Sequence, residues 1–429
     1  MDNSTPTDIQ SPEKVIIIGL NTGQEDYEYS MVELAELAQA NGMDVVDRLD
    51  QPLDRPNPAT YFGKGKVEEL REFALAANAT TIIANDELSP SQLSNLSKET
   101  GVHVIDRTAL ILEIFATRAK TKEAKIQVQI AQLQYQLPRL QTADNVRLDQ
   151  QTGGGSGFTN RGAGETKLEM DRRVVTKQIG HLRRELAQID REGQVKRQQR
   201  DKSEIPTAAL VGYTNAGKST LMNQMIANFG LEEDKQVFTK NMLFATLDTS
   251  VRQLNFPGNK RCLLSDTVGF VSKLPTKLVE AFKSTLTEAA NADLLVQVID
   301  YSDPHYKEMM KTTEKTLHQI GIENIPMLYV FNKADKTSAD YPSMEGDHQI
   351  IMSAKDEKSV KMLQQVIQRF LFKDYVTTTM LVPFDKGQVI SYLNEHGNII
   401  DTKYEATGTR MKLELSQKDV DRYQEYVVE

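Results

Sequence analysis

GYTNAGKST, residues 212–220, directly follows the apolar run AALV at 208–211. Four β-favouring or small residues and then a glycine-bounded loop read as a strand ending in a turn. The loop matches G-x-x-x-x-G-K-S with Gly212, Gly217, Lys218 and Ser219, and a helical stretch follows it, which is the strand–loop–helix order of a phosphate-binding loop. The glycines let the backbone N–H groups of Tyr213, Thr214, Asn215 and Ala216 wrap phosphate oxygens at the N-terminus of the helix. The Lys218 ammonium neutralises those oxygens. The Ser219 hydroxyl is placed to ligate Mg²⁺, and Thr220 continues the first turn. This reading makes the segment 205–373 a parallel α/β domain.

Working outward, three more motifs fall at the ends of predicted strands. DTVGF (266–270) follows KRCLLSD, with Asp266 48 residues past Lys218. A carboxylate there fits the group that holds magnesium through water, and Gly269, after Thr267 and Val268, can offer its N–H to a γ-phosphate. NKAD (Asn332, Lys333, Ala334, Asp335) ends PMLYVFN. The Asp335 carboxylate can accept both N1–H and the exocyclic amine of guanine, a donor pair that adenine lacks. SAK (Ser353, Ala354, Lys355) ends HQIIMSA and can back up the base with a backbone N–H. FATLD (Phe244, Ala245, Thr246, Leu247, Asp248) stands between the first helix and the next strand, where Thr246 would complete the magnesium shell in the triphosphate state; Thr249 is its competitor. Four motifs at strand ends on one side of a sheet are where such folds bind ligands. Together they resemble the guanine-nucleotide site of translation-factor-like GTPases. The catalytic assignment is Lys218, Thr246 and Gly269; the metal set is Ser219, Thr246 and Asp266, for Mg²⁺ with GTP as substrate. Phe270 stands where many GTPases carry a glutamine, and a phenyl ring cannot orient water, so unassisted hydrolysis is expected to be slow unless a glutamine or histidine elsewhere in the chain takes that role.

Toward the N-terminus, residues 1–106 alternate apolar runs (VIIIGL, MDVVDRL, TTIIAN, VHVID) with helical patterns, which implies a second parallel sheet. From Arg107 the strands stop. Ile126, Ile130, Leu133, Leu137 and Leu140 are spaced 4, 3, 4, 3, and Val175, Ile179, Leu182, Leu186 and Ile189 repeat the spacing. Two such seams joined by a loop predict an antiparallel helical hairpin over 107–204, with Pro138 kinking or ending the first helix near Leu137. Between the seams lies GGGSGFTNRGAGE (153–165), which is expected to break the helical region, since glycine costs about 1 kcal/mol in a helix relative to alanine. The remainder, 374–429, reads as a small α+β unit: strand 377–384, helix 386–396, strands 398–406 and 409–415, helix 417–427.

The net charge of -9 argues weakly against nucleic acid, but it is unevenly spread. Residues 107–203 hold 19 Lys and Arg against 11 Asp and Glu, a balance of +8, and the rest of the chain stands at -17. The positive charge therefore sits in the hairpin. A single cysteine, Cys262, excludes an internal disulfide and fits a reducing compartment. The polar, acidic start MDNSTPTDIQSPEK lacks a secretory signal pattern, and no apolar run approaches the ~20 residues of a membrane span. The expectation is a cytoplasmic monomer without stable membrane insertion, with partial membrane association left open.

With TYFGKGKVEEL (60–70), QIAQLQYQLPRL (129–140), RGAGETKLEMDRR (161–173), GYTNAGKST, FATLD and DTVGF in place, the chain resembles the HflX-family GTPases over nearly its whole length. Two departures are a longer glycine loop and Ala163 where the family usually has proline. The resemblance implies a GTPase that binds the large ribosomal subunit (rRNA and proteins), splits or recycles ribosomes under stress, and hydrolyses GTP to GDP and phosphate faster on the ribosome. The alternatives are a regulatory GTPase acting on a protein or membrane target, and an RNA-remodelling NTPase.

Overall fold

The computed structural model describes residues 12–140, 160–201, 205–230, 243–244, 250–274 and 287–428. They form two compact units. The first takes the described residues up to 193 together with 243–244 and 271–274; the second takes the rest.

The first unit is built on a four-stranded parallel sheet of order β2-β1-β3-β4, with β1 (Glu13–Asn21), β2 (Met43–Pro52), β3 (Thr81–Ala84) and β4 (His103–Asp106). Ile16, Ile18, Ile82 and Ala84 are fully buried, as expected of strands covered on both faces. The connecting helices are α1 (Tyr27–Ala40), α2 (Lys64–Ala77) and α3 (Pro90–Thr100). Ser89 starts α3 with a capping box: its hydroxyl accepts from Gln92 N, and the Gln92 side chain accepts from Ser89 N.

After β4 come α4 (Arg107–Arg118) and α5 (Lys122–Gln136), and later the 42-residue α6 (Asn160–Asp201). α5 ends with Leu137 as its C-cap, one residue before Pro138, as the sequence predicts. Ile126 and Ile130 pack with Ile179 and Leu182, flanked by Leu133, Val175, Leu186 and Ile189. The two seams therefore meet, and Lys122 at the start of α5 pairs with Glu185 at 2.7 Å. The described packing stops at Leu133 and does not reach Leu137 or Leu140. One expectation needs correction. α6 begins at Asn160, so Arg161 to Glu165, read as the end of a glycine loop, lie in the helix. A long helix propagates through two glycines because each residue added to an existing helix gains its bond without a new nucleus. Residues 153–159 lie outside the described residues.

A buried polar network locks this unit. Arg107, 1% exposed, pairs with Glu33 of α1, 2% exposed, and donates to Asn85 at the end of β3 (2.9 Å) and to Ser272 Oγ (2.9 Å). Ser272 Oγ in turn donates to Glu33. Lys273 pairs with Asp86 at 2.7 Å, and Phe244 is buried edge-on to Phe115 with ring centroids 4.6 Å apart.

The second unit carries a seven-stranded sheet of order β10-β11-β9-β8-β5-β7-β6. Its strands are β5 (Thr207–Val211), β6 (Ser250–Phe256), β7 (Lys260–Asp266), β8 (Leu294–Asp300), β9 (Met327–Asn332), β10 (Ser343–Glu345) and β11 (Gln349–Ile351). The edge strands β6 and β10 run antiparallel to their neighbours and were not among the predicted strands. The helices are α7 (Lys218–Phe229), α8 (Thr287–Ala290), α9 (Tyr306–Gln319) and α10 (Glu357–Leu371). A three-stranded sheet, β12 (Tyr375–Val382), β14 (Gly408–Ser416) and β13 (Asn398–Glu405), completes the unit with α11 (Gly387–His396) and α12 (Gln417–Arg422). The final helix is shorter than the predicted 417–427: α12 stops at Arg422 and a 3₁₀ turn, Gln424–Tyr426, follows. Among the described residues no helix is long and apolar enough to cross a membrane.

Removing one member of the Glu33–Arg107 pair leaves the other charge buried, which costs about 3–5 kcal/mol. Arg107→Met should therefore lower stability by about that amount, and adding Glu33→Leu should recover most of it. Urea unfolding followed by circular dichroism checks both; an unchanged midpoint in the single variant contradicts the network's weight.

Candidate functional site

The site is built where β5, β7, β8 and β9 end. Val211 closes β5, and the chain turns at Gly212 with φ 140°. A Cβ at Gly212 would stand 2.3 Å from the Val298 carbonyl oxygen of β8, so the loop leaves the sheet where only glycine fits. Gly217, φ 99°, is the N-cap of α7, and a Cβ there would stand 2.3 Å from Asn332 Nδ2. The first four N–H groups of α7 have no partner within the helix, which makes this end suited to anions.

Lys218 is buried, and its Nζ donates to the Gly212 and Tyr213 carbonyls at 3.0 and 2.7 Å. The lysine therefore straps across its own loop. Burial pushes its ammonium down to about 8, partly offset by Asp266. Ser219 Oγ donates to Asp266 Oδ2 at 2.7 Å. Asp266 is fully buried, its carboxyl raised by burial, and among the described residues its Oδ1 has no hydrogen-bond partner. An orphaned buried carboxylate oxygen beside a hydroxyl on the first turn of a phosphate-type helix fits a hard divalent cation. Among the described residues no three His, Cys, Asp or Glu side chains form a cage, so magnesium here would need ligands beyond Ser219 and Asp266.

The DTVGF turn lies directly on the loop. Thr267 Oγ1 donates to the Leu210 carbonyl at 2.7 Å, and Val268 is buried. A Cβ at Gly269 would come within 2.7 Å of Thr214 Cα and 3.0 Å of Lys218 Nζ. Phe270 N donates to Gly212 O at 3.2 Å, and Thr214 N donates to Phe270 O at 2.8 Å. The Phe270 ring is 3% exposed, so this position offers neither a polar group nor an accessible one.

On the base side, Asn332 is buried. Its Nδ2 donates to Ala216 O and its Oδ1 accepts from Ala354 N, both at 2.9 Å. The Ala354 N–H is thus engaged by Asn332. Asp335 accepts a hydrogen bond from Ser353 Oγ at 2.7 Å and lies 3.8 Å from Lys355 Nζ. Lys333, in left-handed conformation at φ 62°, pairs with Asp300 at 2.6 Å. Asp300 was not among the sequence candidates; its signal is an acidic residue closing β8, in the same row as Asp266 and Asn332. The structure thus brings the phosphate loop, DTVG, NKAD and SAK together. Phe244 belongs to the first unit, and Ala245, Thr246, Leu247 and Asp248, with Thr249, lie outside the described residues.

Residues 28–116 match the family model described as GTP-binding GTPase N-terminal, 118–200 that of GTP-binding GTPase middle region, and 207–333 that of 50S ribosome-binding GTPase. The GTPase HflX of Caldanaerobacter subterraneus subsp. tengcongensis is 41% identical over 97% of this chain and 94% of its own. The chain belongs to the HflX family of GTPases. Its reaction is GTP hydrolysis. The GTPase HflX of Lacrimispora saccharolytica is 42% identical over 92% of each chain. Among solved structures, a GTP-binding protein from Sulfolobus solfataricus in complex with GDP is 23% identical, with a TM-score of 0.44, covering 84% of this chain and 99% of that one.

Phosphate beside Lys218 would raise the ammonium from about 8. The free protein then loses its proton before the complex does. Nucleotide affinity should be full below pH 8 and fall above it, by at most tenfold per pH unit. Titration of GDP at pH about 7.5 and about 9 checks this; equal affinity at both contradicts it.

Proposed function

We propose that this GTPase acts on the large ribosomal subunit and uses GTP to split or recycle ribosomes, in the cytoplasm and under stress. The observation that carries the reading is the match of 207–333 to a model described as a 50S ribosome-binding GTPase. The charge pattern supports it. Arg172, Arg173, Lys177, Arg183, Arg184 and Arg191 are all exposed on α6. RNA phosphates attract such a row without sequence preference. The four sequence segments then divide the work: 1–106 and the hairpin 107–204 dock, 205–373 binds nucleotide, and 374–429 extends the nucleotide domain.

In this reading the N–H groups of 213–217 bind phosphate, Lys218 and Gly269 hold the γ-phosphate, and Asp335 selects guanine. Ser219, Asp266 and Thr246 would hold magnesium, which when bound would offset charge on the phosphate. Asn332 positions loops, Ser353 orients Asp335, and Lys355 flanks it. With Phe270 buried and apolar, the attacking water needs a group from outside the described site, which the ribosome would supply.

Light scattering of intact ribosomes mixed with protein and GTP tests the function directly: scattering should fall, and undiminished scattering overturns the reading. Reversing charge with Arg172→Glu and Arg173→Glu should weaken subunit binding and flatten its salt dependence by up to about 0.9 log units per lost phosphate contact on B-DNA scales. Unaltered salt dependence in co-sedimentation would place the contact elsewhere.

A further inference from the structure

The strands β6 and β7 form one antiparallel ladder with two very different ends. At one end Ser250 pairs with Asp266; at the other Phe256 pairs with Lys260. The ladder is seven residues long, roughly 20 Å. Asp266 and Gly269 sit on the phosphate loop. The far end, Pro257-Gly258-Asn259, grips the three-stranded sheet and its helix.

That grip is dense. Asn259, at φ 55°, holds its amide nitrogen 3.3, 3.0 and 3.1 Å from the carbonyl oxygens of Asn394, Glu395 and Gly397. These lie at the C-terminal end of α11, where carbonyls lack partners within the helix. Arg261 adds a bond to Glu395 O at 3.0 Å. The hairpin therefore caps α11 from outside. Lys260, 10% exposed, pairs with Glu414 of β14 at 2.8 Å, and its ammonium lies 5.6 and 5.4 Å from the ring centroids of Phe372 and Tyr375. Gln368 of α10 donates to Pro257 O at 3.3 Å, and a Cβ at Gly258 would meet Asn398 Nδ2 at 3.0 Å.

We propose that β6–β7 is a coupling arm that carries the nucleotide state from Asp266–Gly269 to the C-terminal sheet and α11, so that this module moves with the nucleotide site. This rests on reading 266–269 as the segment that meets the γ-phosphate. β7 is also paired with β5 over residues 263–266, whereas among the described residues its far half, 260–262, has β6 alone as its strand partner; a change at 266–269 passed along the ladder then strains or relaxes the cap at the other end. The β6 end of the ladder follows closely in sequence on FATLD, the segment read above as meeting the nucleotide's magnesium.

The test is hydrogen exchange by mass spectrometry on the full chain, with GDP and with a non-hydrolysable GTP analogue. Backbone amides of 393–400 should change their exchange severalfold between the two. In Asn259→Ala they should exchange faster with either nucleotide and no longer differ. Lys260→Met keeps the packing on Phe372 and Tyr375 but loses the ion pair, and should shrink the difference without unfolding the module. Identical exchange at 393–400 in the wild type, with a clear difference at 212–220, overturns the arm. So does a difference that survives in both variants. No difference at 212–220 either would instead sink the nucleotide-site reading, and the arm with it.

Discussion

Asn332 is buried at the end of β9, and its amide ties together the loops of the nucleotide site. One side of that amide donates to the phosphate loop at Ala216, the other accepts from the SAK loop at Ala354. Gly217 comes so close to the same amide nitrogen that a methyl group could not stand between them. Three loops from distant parts of the chain are thereby kept in fixed relation. Each of these buried polar groups would cost about 1–3 kcal/mol if left unpaired, so the loops and the side chain hold one another in place. Lys218, strapped to the Gly212 and Tyr213 carbonyls, and Gly269, lying on Thr214, then complete a phosphate cradle formed largely of backbone.

The polar groups outside the cradle divide into two kinds of fastening. In the first unit the Glu33–Arg107–Ser272 network and the Lys273–Asp86 pair fix the residues that follow DTVGF. In the second, Asn259 and Lys260 fasten the β6–β7 hairpin to α11 and β14. Both use charges or amides that span more than a hundred residues of sequence. That gives specific register where apolar packing alone would tolerate slippage.

Much of this was legible in the residues. Runs such as VIIIGL and TTIIAN mark strands buried on both faces, because a parallel sheet demands continuous apolar segments. The 4-3 spacing of Ile126 to Leu133 and Val175 to Ile189 named the side chains that meet. The phosphate loop could be read because its glycines answer to geometry that no other residue satisfies. What escaped has physical reasons. SVRQLNF, β6, is a polar edge strand with one paired side, so it lacks the apolar signature. Gly162 and Gly164 oppose helix locally, yet α6 runs through them. The partners of Arg107 and Asp300, and the carbonyls under Asn259, are set by tertiary approach, which no local spacing encodes.

In the proposed reading, a buried, apolar Phe270 leaves this GTPase dependent on a group from outside the described site, which the large ribosomal subunit would provide. Single-turnover hydrolysis of GTP by the full chain, with and without large subunits, tests this most directly. Slow turnover alone and acceleration by orders of magnitude on subunits is the predicted result. Rapid hydrolysis by the free protein, unchanged by subunits, would contradict it.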